Sequence, residues 1–175
     1  MVSMYCFILK YRLCSGFIPV PDISVRTISK NGVDINHLEY KYWLQANGFY
    51  KYYPDGSESY IYVRVENNLI DNTNEVRIKE FVLSEMLTNG EHKVYQYLAG
   101  ASKYFKDEYL NMLEPINLCF KEDTICEAYI YFRNGAVKVE KENVTLIDYL
   151  DLNGFVWKKH IIDFDIVSTE DIECD

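Results

Sequence analysis

Between residues 60 and 65 apolar and polar side chains alternate without a break. Ile61, Val63 and Val65 fall on one face of an extended strand, and Tyr60, Tyr62 and Arg64 on the other. A second extended run, residues 49–53, precedes it. Pro54-Asp55-Gly56 separates the two, with proline presetting φ and glycine accepting positive φ, so the pair is predicted to be a β-hairpin. Glu66-Asn67-Asn68 then turns into Leu69-Ile70, a predicted third strand.

Helical periodicity brackets this hairpin. Residues 34–46 predict a short helix capped by Asp34 or Asn36, with Leu38, Tyr42 and Leu44 or Trp43 on its apolar side and Asn47-Gly48 as its stop. Thr73 or Asn74 can cap a longer helix to about residue 87. Its stripe is Val76, Phe81 or Val82, Leu83, Met86 and Leu87, and Asn89-Gly90 closes it. Residues 91–105 predict another helix through Val94, Tyr97, Leu98, Ala101 and Phe105. Gly100 weakens that helix by about 1 kcal/mol and predicts a bend. Residues 107–113 predict a short third helix, ended by Pro115.

The last third returns to period two. Residues 116–120 and 128–133 predict strands, and Asn134-Gly135 is a two-residue hairpin signal leading into residues 136–140. Strands over 144–147 and 155–162 follow the turn signals Glu142-Asn143 and Asn153-Gly154. The predicted class is α+β, with Tyr-rich antiparallel β-hairpins around a central insert of two to three helices. Pro19 and Pro21 mark residues 15–34 as a linker or irregular arm, and residues 1–33 read as an irregular leader or arm. Residues 34–167 read as one module and 168–175 as an acidic frayed tail.

Composition narrows the function classes. An apolar share of 49% with 15% aromatics over 175 residues supports a folded core. The net charge is −9; residues 1–30 carry +3 (Lys10, Arg12, Arg26 and Lys30 against Asp22), so the other 145 carry −12. Nucleic-acid contact would therefore need a local patch and not a global field. Five widely spaced cysteines suit free thiols in a reducing cytoplasm, and no metal-ligand spacing joins them to the three histidines. The apolar run of residues 4–9 is short, and Lys10 and Arg12 follow it, an order unlike that of an export signal. No apolar run reaches the ~20 residues of a membrane helix.

The sequence holds no P-loop, GxGxxG, GxSxG or HExxH pattern. Asp163-Phe164-Asp165 could hold Mg²⁺, but such a pair is more often a solvated strand end, as is Glu122-Asp123. The chemistry that remains is surface contact. Tyr60-Ile61-Tyr62-Val63-Arg64 is echoed by Tyr129-Ile130-Tyr131-Phe132-Arg133, each putting two tyrosines and an arginine on one strand face. Aromatics that stack on bases beside cations that meet phosphates are the usual means of gripping a single strand. The candidate nucleic-acid contacts are Tyr60, Tyr62, Arg64, Tyr129, Tyr131 and Arg133, with Lys158 and Lys159 beside Trp157 and His160. Tyrosines that merely fill half-buried sheet faces are the plainer alternative.

Two blocks carry a family resemblance. The first runs from His37-Leu38-Glu39-Tyr40-Lys41-Tyr42-Trp43-Leu44 through GFYKYYPDGSESYIYVRVENN to Asn74-Glu75-Val76-Arg77 and on to Phe81-Val82. The second joins Tyr129-Ile130-Tyr131-Phe132-Arg133-Asn134-Gly135 to Ile147-Asp148-Tyr149 and to Gly154-Phe155-Val156-Trp157-Lys158-Lys159-His160-Ile161-Ile162-Asp163. Together, over about residues 32–167, they resemble the region upstream of the motor in primase–helicases of phages and mobile elements from Bacteroides-type bacteria, similar to superfamily 3 helicases. The family's ATPase core would follow the Trp157-x-x-x-Ile161-Ile162-Asp163 block. The resemblance therefore implies a truncated or split N-terminal replication module without catalytic residues, cofactor or metal. Its expected partners are single-stranded or forked DNA, a helicase subunit, or further copies of itself. A protein-docking module without DNA contact, or a gene-fragment remnant, are the alternatives.

Overall fold

The computed structural model describes residues 26–29 and 32–167. The leader up to residue 25 and the tail from residue 168 lie outside them. In chain order the elements are β1 (Arg26–Ser29), β2 (Gly32–Ile35), α1 (His37–Ala46), β3 (Phe49–Tyr52), β4 (Ile61–Glu66), β5 (Leu69–Thr73), α2 (Glu75–Thr88), α3 (His92–Gly100), α4 (Asp107–Leu110), β6 (Glu127–Phe132), β7 (Gly135–Glu140), β8 (Val144–Ile147) and β9 (Val156–Trp157). The class is α+β, with the helices set between antiparallel hairpins.

The residues gather into two compact units, where the sequence suggested one module. Among the described residues, a helical unit holds 26–29, 32–65 and Asn72–Asn117; a strand unit holds Glu66–Asp71 and residues 118–167. Neither is continuous in sequence.

In the helical unit, α1 starts where Asn36 Oδ1 accepts the amides of Leu38 at 3.0 Å and Glu39 at 3.4 Å. Asp34, the other possible cap, lies in β2, which pairs antiparallel with β1 from Arg26↔Ile35 to Ser29↔Gly32. Part of the expected irregular arm is thus a short hairpin. After α1 the chain reverses at Gly48 (φ +86°), where an added Cβ would sit 2.2 Å from the Val65 carbonyl oxygen. Only glycine fits so close an approach. The β3–β4 register runs from Phe49↔Arg64 to Tyr52↔Ile61, as the turn signal predicted. The far edge of β3 is closed by Lys51, whose amide donates to the Glu114 carbonyl at 3.1 Å and whose carbonyl accepts the Ile116 amide at 2.8 Å. The segment predicted as a strand over 116–120 makes only isolated bridges.

Asn74 caps α2 through the Arg77 amide at 3.0 Å. The buried row of α2 is Ile78, Val82 and Met86, each four residues apart. Val76 and Leu87, expected in that stripe, are exposed. Helix α3 ends at Gly100, where the bend was expected, and the chain continues as a 3₁₀ turn, Ser102–Phe105, that buries Tyr104 and Phe105. The core joins Tyr40, Trp43, Leu44, Phe49, Ile78, Val82, Leu98, Tyr104 and Leu110. Each such side chain contributes about 1.5–3 kcal/mol on burial.

In the strand unit β6, β7 and β8 form an antiparallel meander, with Phe132↔Gly135 closing the first hairpin and Ala136↔Ile147 opening the second. Strands β5 and β9 pair in parallel, Leu69↔Val156 and Ile70↔Trp157. The strand expected over 155–162 is reduced to two residues, because Lys158-Lys159-His160 turns as a 3₁₀ helix. Asn67 (φ 52°) and Asn68 (φ 61°) are both left-handed, a conformation asparagine tolerates better than most residues. The unit's small core is Ala136, Tyr149, Leu152 and Val156, flanked by Leu69, Tyr129, Tyr131 and Ile161.

Candidate functional site

The two echoed pentapeptides fold alike and then make different contacts. At the start of β4, the hydroxyls of Tyr60, just before the strand, and Tyr62 both donate to Oδ1 of Asp107, each at 2.7 Å. Asp107 stands at the start of α4, and its amide donates to Oε1 of Glu75 at 2.8 Å. Burial, reinforced by the hydrogen bonds with Tyr60 and Asp107, pushes the Tyr62 hydroxyl far above the ordinary tyrosine range. In return the Tyr60 and Tyr62 hydroxyls hold the Asp107 carboxyl below its usual range, so Asp107 is a carboxylate at neutral pH.

These groups line an open cleft of about 590 Å³ in the helical unit. Its walls are Tyr53, Tyr60, Tyr62 and Ile61, the polar residues Ser59, Asn72, Thr73 and Asn74, and the acids Glu58, Glu75 and Asp107. The Tyr53 and Tyr60 rings meet edge to face at 5.7 Å, and those of Tyr60 and Tyr62 at 5.4 Å. Among the described residues no lysine or arginine lines the cleft. Arg64, expected beside the two tyrosines, is drawn elsewhere. Its guanidinium lies 4.3 Å from the Phe81 ring centroid and 5.6 Å from that of Phe49, while Nε donates to the Asn47 carbonyl at 3.3 Å. Arg64 thus ties β4 to the end of α1 and to α2.

Just after β6, in the strand unit, Arg133 makes a two-pronged pair with Asp165. Nε donates to Oδ1 at 2.9 Å and a terminal nitrogen to Oδ2 at 2.8 Å, with Asp163 3.9 Å away. The acids of the Asp163-Phe164-Asp165 motif therefore face an arginine. Among the described residues no group of three or more histidines, cysteines or acids is placed to hold a metal ion. Tyr129 lies under the Lys121 ammonium, 4.4 Å from its ring centroid. Glu127 ties this corner together, 3.3 Å from the Lys121 ammonium and 2.8 Å from that of Lys138. The two lysines, Lys138 first, push the Glu127 carboxyl down to about 2. Tyr131 packs on the small core. Lys158 lies 3.9 Å from Glu66, and the Lys159 ammonium lies 5.3 Å from the centroid of Trp157, which stacks on Phe120 at 5.7 Å.

The eight predicted contact residues are thus split between units. Tyr60 and Tyr62 share one carboxylate, Arg64 is a packing residue, and the other five belong to the strand unit. Sequence reading missed Asp107 and Glu75. Asp107 is 45 residues from Tyr62, and no local pattern links the two. No described helix is long and apolar enough to cross a membrane. Comparison of the chain with protein-family models, curated proteins and solved structures gives no match.

Proposed function

We propose that this chain is a non-catalytic docking module of a replication complex, working through contact with a protein partner as the resemblance to pre-motor regions of primase–helicases implies. The observation that carries this reading is that three of the groups that would grip a nucleic acid are already bound to carboxylates. Arg133 is held by Asp165 on two prongs, and Tyr60 and Tyr62 both donate to Asp107. A phosphate would have to displace these anions against a chain of net charge −9. A basic protein surface meets the same groups with favourable charge.

The test is size-exclusion chromatography of the purified chain with a full-length primase–helicase of the resembling type. A joint peak that dissolves in high salt is expected; independent elution at low salt would defeat the reading.

One observation favours DNA as a second reading. Lys159 lies over Trp157, which stacks on Phe120, with Lys158 next to it in sequence, a combination of aromatic and cation that suits a single strand. A salt-sensitive mobility shift of forked DNA that is lost on Lys158→Ala plus Lys159→Ala would favour it over protein docking.

A further inference from the structure

We propose that the cleft beside β4 is a recognition pocket for an arginine side chain of a basic peptide segment. This rests on the docking reading and names the ligand chemistry that the docking would use. Three features converge. The walls present three tyrosine rings, Tyr53, Tyr60 and Tyr62, in an edge-to-face series, and tyrosine faces attract cations. Tyr60 already does so within the chain, since the Lys51 ammonium stands 5.2 Å from its ring centroid. The charged groups in the lining are the carboxylates of Glu58, Glu75 and Asp107, and Lys51 is a cation that already acts on Asp107 from beside the cleft.

Asp107 is the centre of the pocket. Two tyrosine hydroxyls donate to the same oxygen, Oδ1, which orients the carboxylate and keeps it ionised. A planar guanidinium can stack on a tyrosine and hydrogen-bond to a carboxylate at once, which a compact ammonium does less well. The cleft is open, so it suits a side chain presented by an exposed segment and not an enclosed small molecule. An anionic ligand is disfavoured by the same charges.

The test is an amide-resolved NMR titration of the full chain with Nα-acetyl-arginine methylamide, run beside its lysine counterpart, tetramethylammonium and acetyl phosphate. Saturable shifts are expected at the amides of Ser59, Tyr60, Asn74, Glu75 and Asp107, strongest for the arginine probe and absent for acetyl phosphate. Asp107→Asn should weaken binding roughly fivefold, the scale of an exposed ion pair. Tyr53→Ala, at an exposed ring outside the core, should weaken it by roughly two- to fivefold without affecting the fold. Shifts that are missing, or that spread equally over Asp123, Asp151 and Asp163, would overturn the pocket. If those fail while the helicase still co-elutes, docking uses another surface; if both fail, the docking reading falls with the pocket.

Discussion

Asn68 donates from Nδ2 to the carbonyl of Leu152 at 2.9 Å, across 84 residues of sequence. The same nitrogen reaches the Tyr149 carbonyl at 2.9 Å. Asn68 is the buried polar residue of the described chain, at 6% exposure. Its left-handed backbone (φ 61°) aims the amide into the 149–152 turn. Asn68→Ala removes two hydrogen bonds, at about 0.5–1.5 kcal/mol each, although the Leu152 and Gly154 amides still reach the Tyr149 and Leu152 carbonyls. The exposed neighbour Asn67 (φ 52°) makes a control, because alanine there meets only backbone strain of about 1–2 kcal/mol. Urea unfolding followed by tryptophan fluorescence should rank Asn68→Ala below Asn67→Ala, and equal midpoints would show the bonds to be idle.

Two glycines separate steric contact from backbone strain. Gly48 and Gly56 both have positive φ, +86° and +75°, yet a Cβ at Gly48 would strike the Val65 carbonyl while Gly56 faces open space. Gly56→Ala should cost about 1–2 kcal/mol. Gly48→Ala should exceed about 4 kcal/mol, because two backbones must part and the Val65 amide bond to the Gly48 carbonyl stretches with them. Thermal melts of the two variants would decide, and similar melting temperatures would contradict the clash.

Acid should weaken the strand unit through Glu127. Its folded value lies near 2, below the ordinary 4.5. A depressed carboxyl supplies stability that is whole above about 4.5 and fades as pH falls toward about 2. Glu127→Gln removes that contribution, so the variant's stability should depend less on pH across this window. The wild type and the variant should therefore converge near pH 2 in an acid titration of the circular dichroism signal. Parallel curves would mean that the Lys121 and Lys138 pairs are screened out.

The echoed arginines should part company on mutation. Arg64→Ala loses a ring contact with Phe81 and a bond to Asn47, so it should destabilise the helical unit by about 1–2 kcal/mol. Arg133→Ala removes an exposed, solvent-screened pair and should leave stability nearly unchanged. Denaturant midpoints would compare them; a larger loss at Arg133 would reverse the assignment.

What could be read from the sequence was whatever is decided within a few residues. Asn36 and Asn74 announced the starts of α1 and α2 because a cap acts over three positions. Pro54-Asp55-Gly56 and Asn134-Gly135 announced their hairpins for the same reason. Contacts between distant segments left no trace. The tyrosine face of β4 was visible as a pattern, but the choice between a base and a carboxylate as its partner depended on Asp107 arriving from α4. Val76 and Leu87 matched the helical stripe of α2 and are nonetheless exposed, since periodicity names a face without saying how far the neighbouring elements extend. Residues 155–162 read as a strand by apolar content, yet β9 stops after Trp157.

The interleaved path of the chain limits how it can be dissected. Six residues, Glu66–Asp71, are lent to the strand unit from within the helical one, and Asn68 is among them. A gene cut between codons 117 and 118 would therefore give a carboxy-terminal half without the amide that ties down its 149–152 turn. Such a half would need a short peptide bearing Asn68 added back, which makes the protein a natural starting point for a split-fragment reporter.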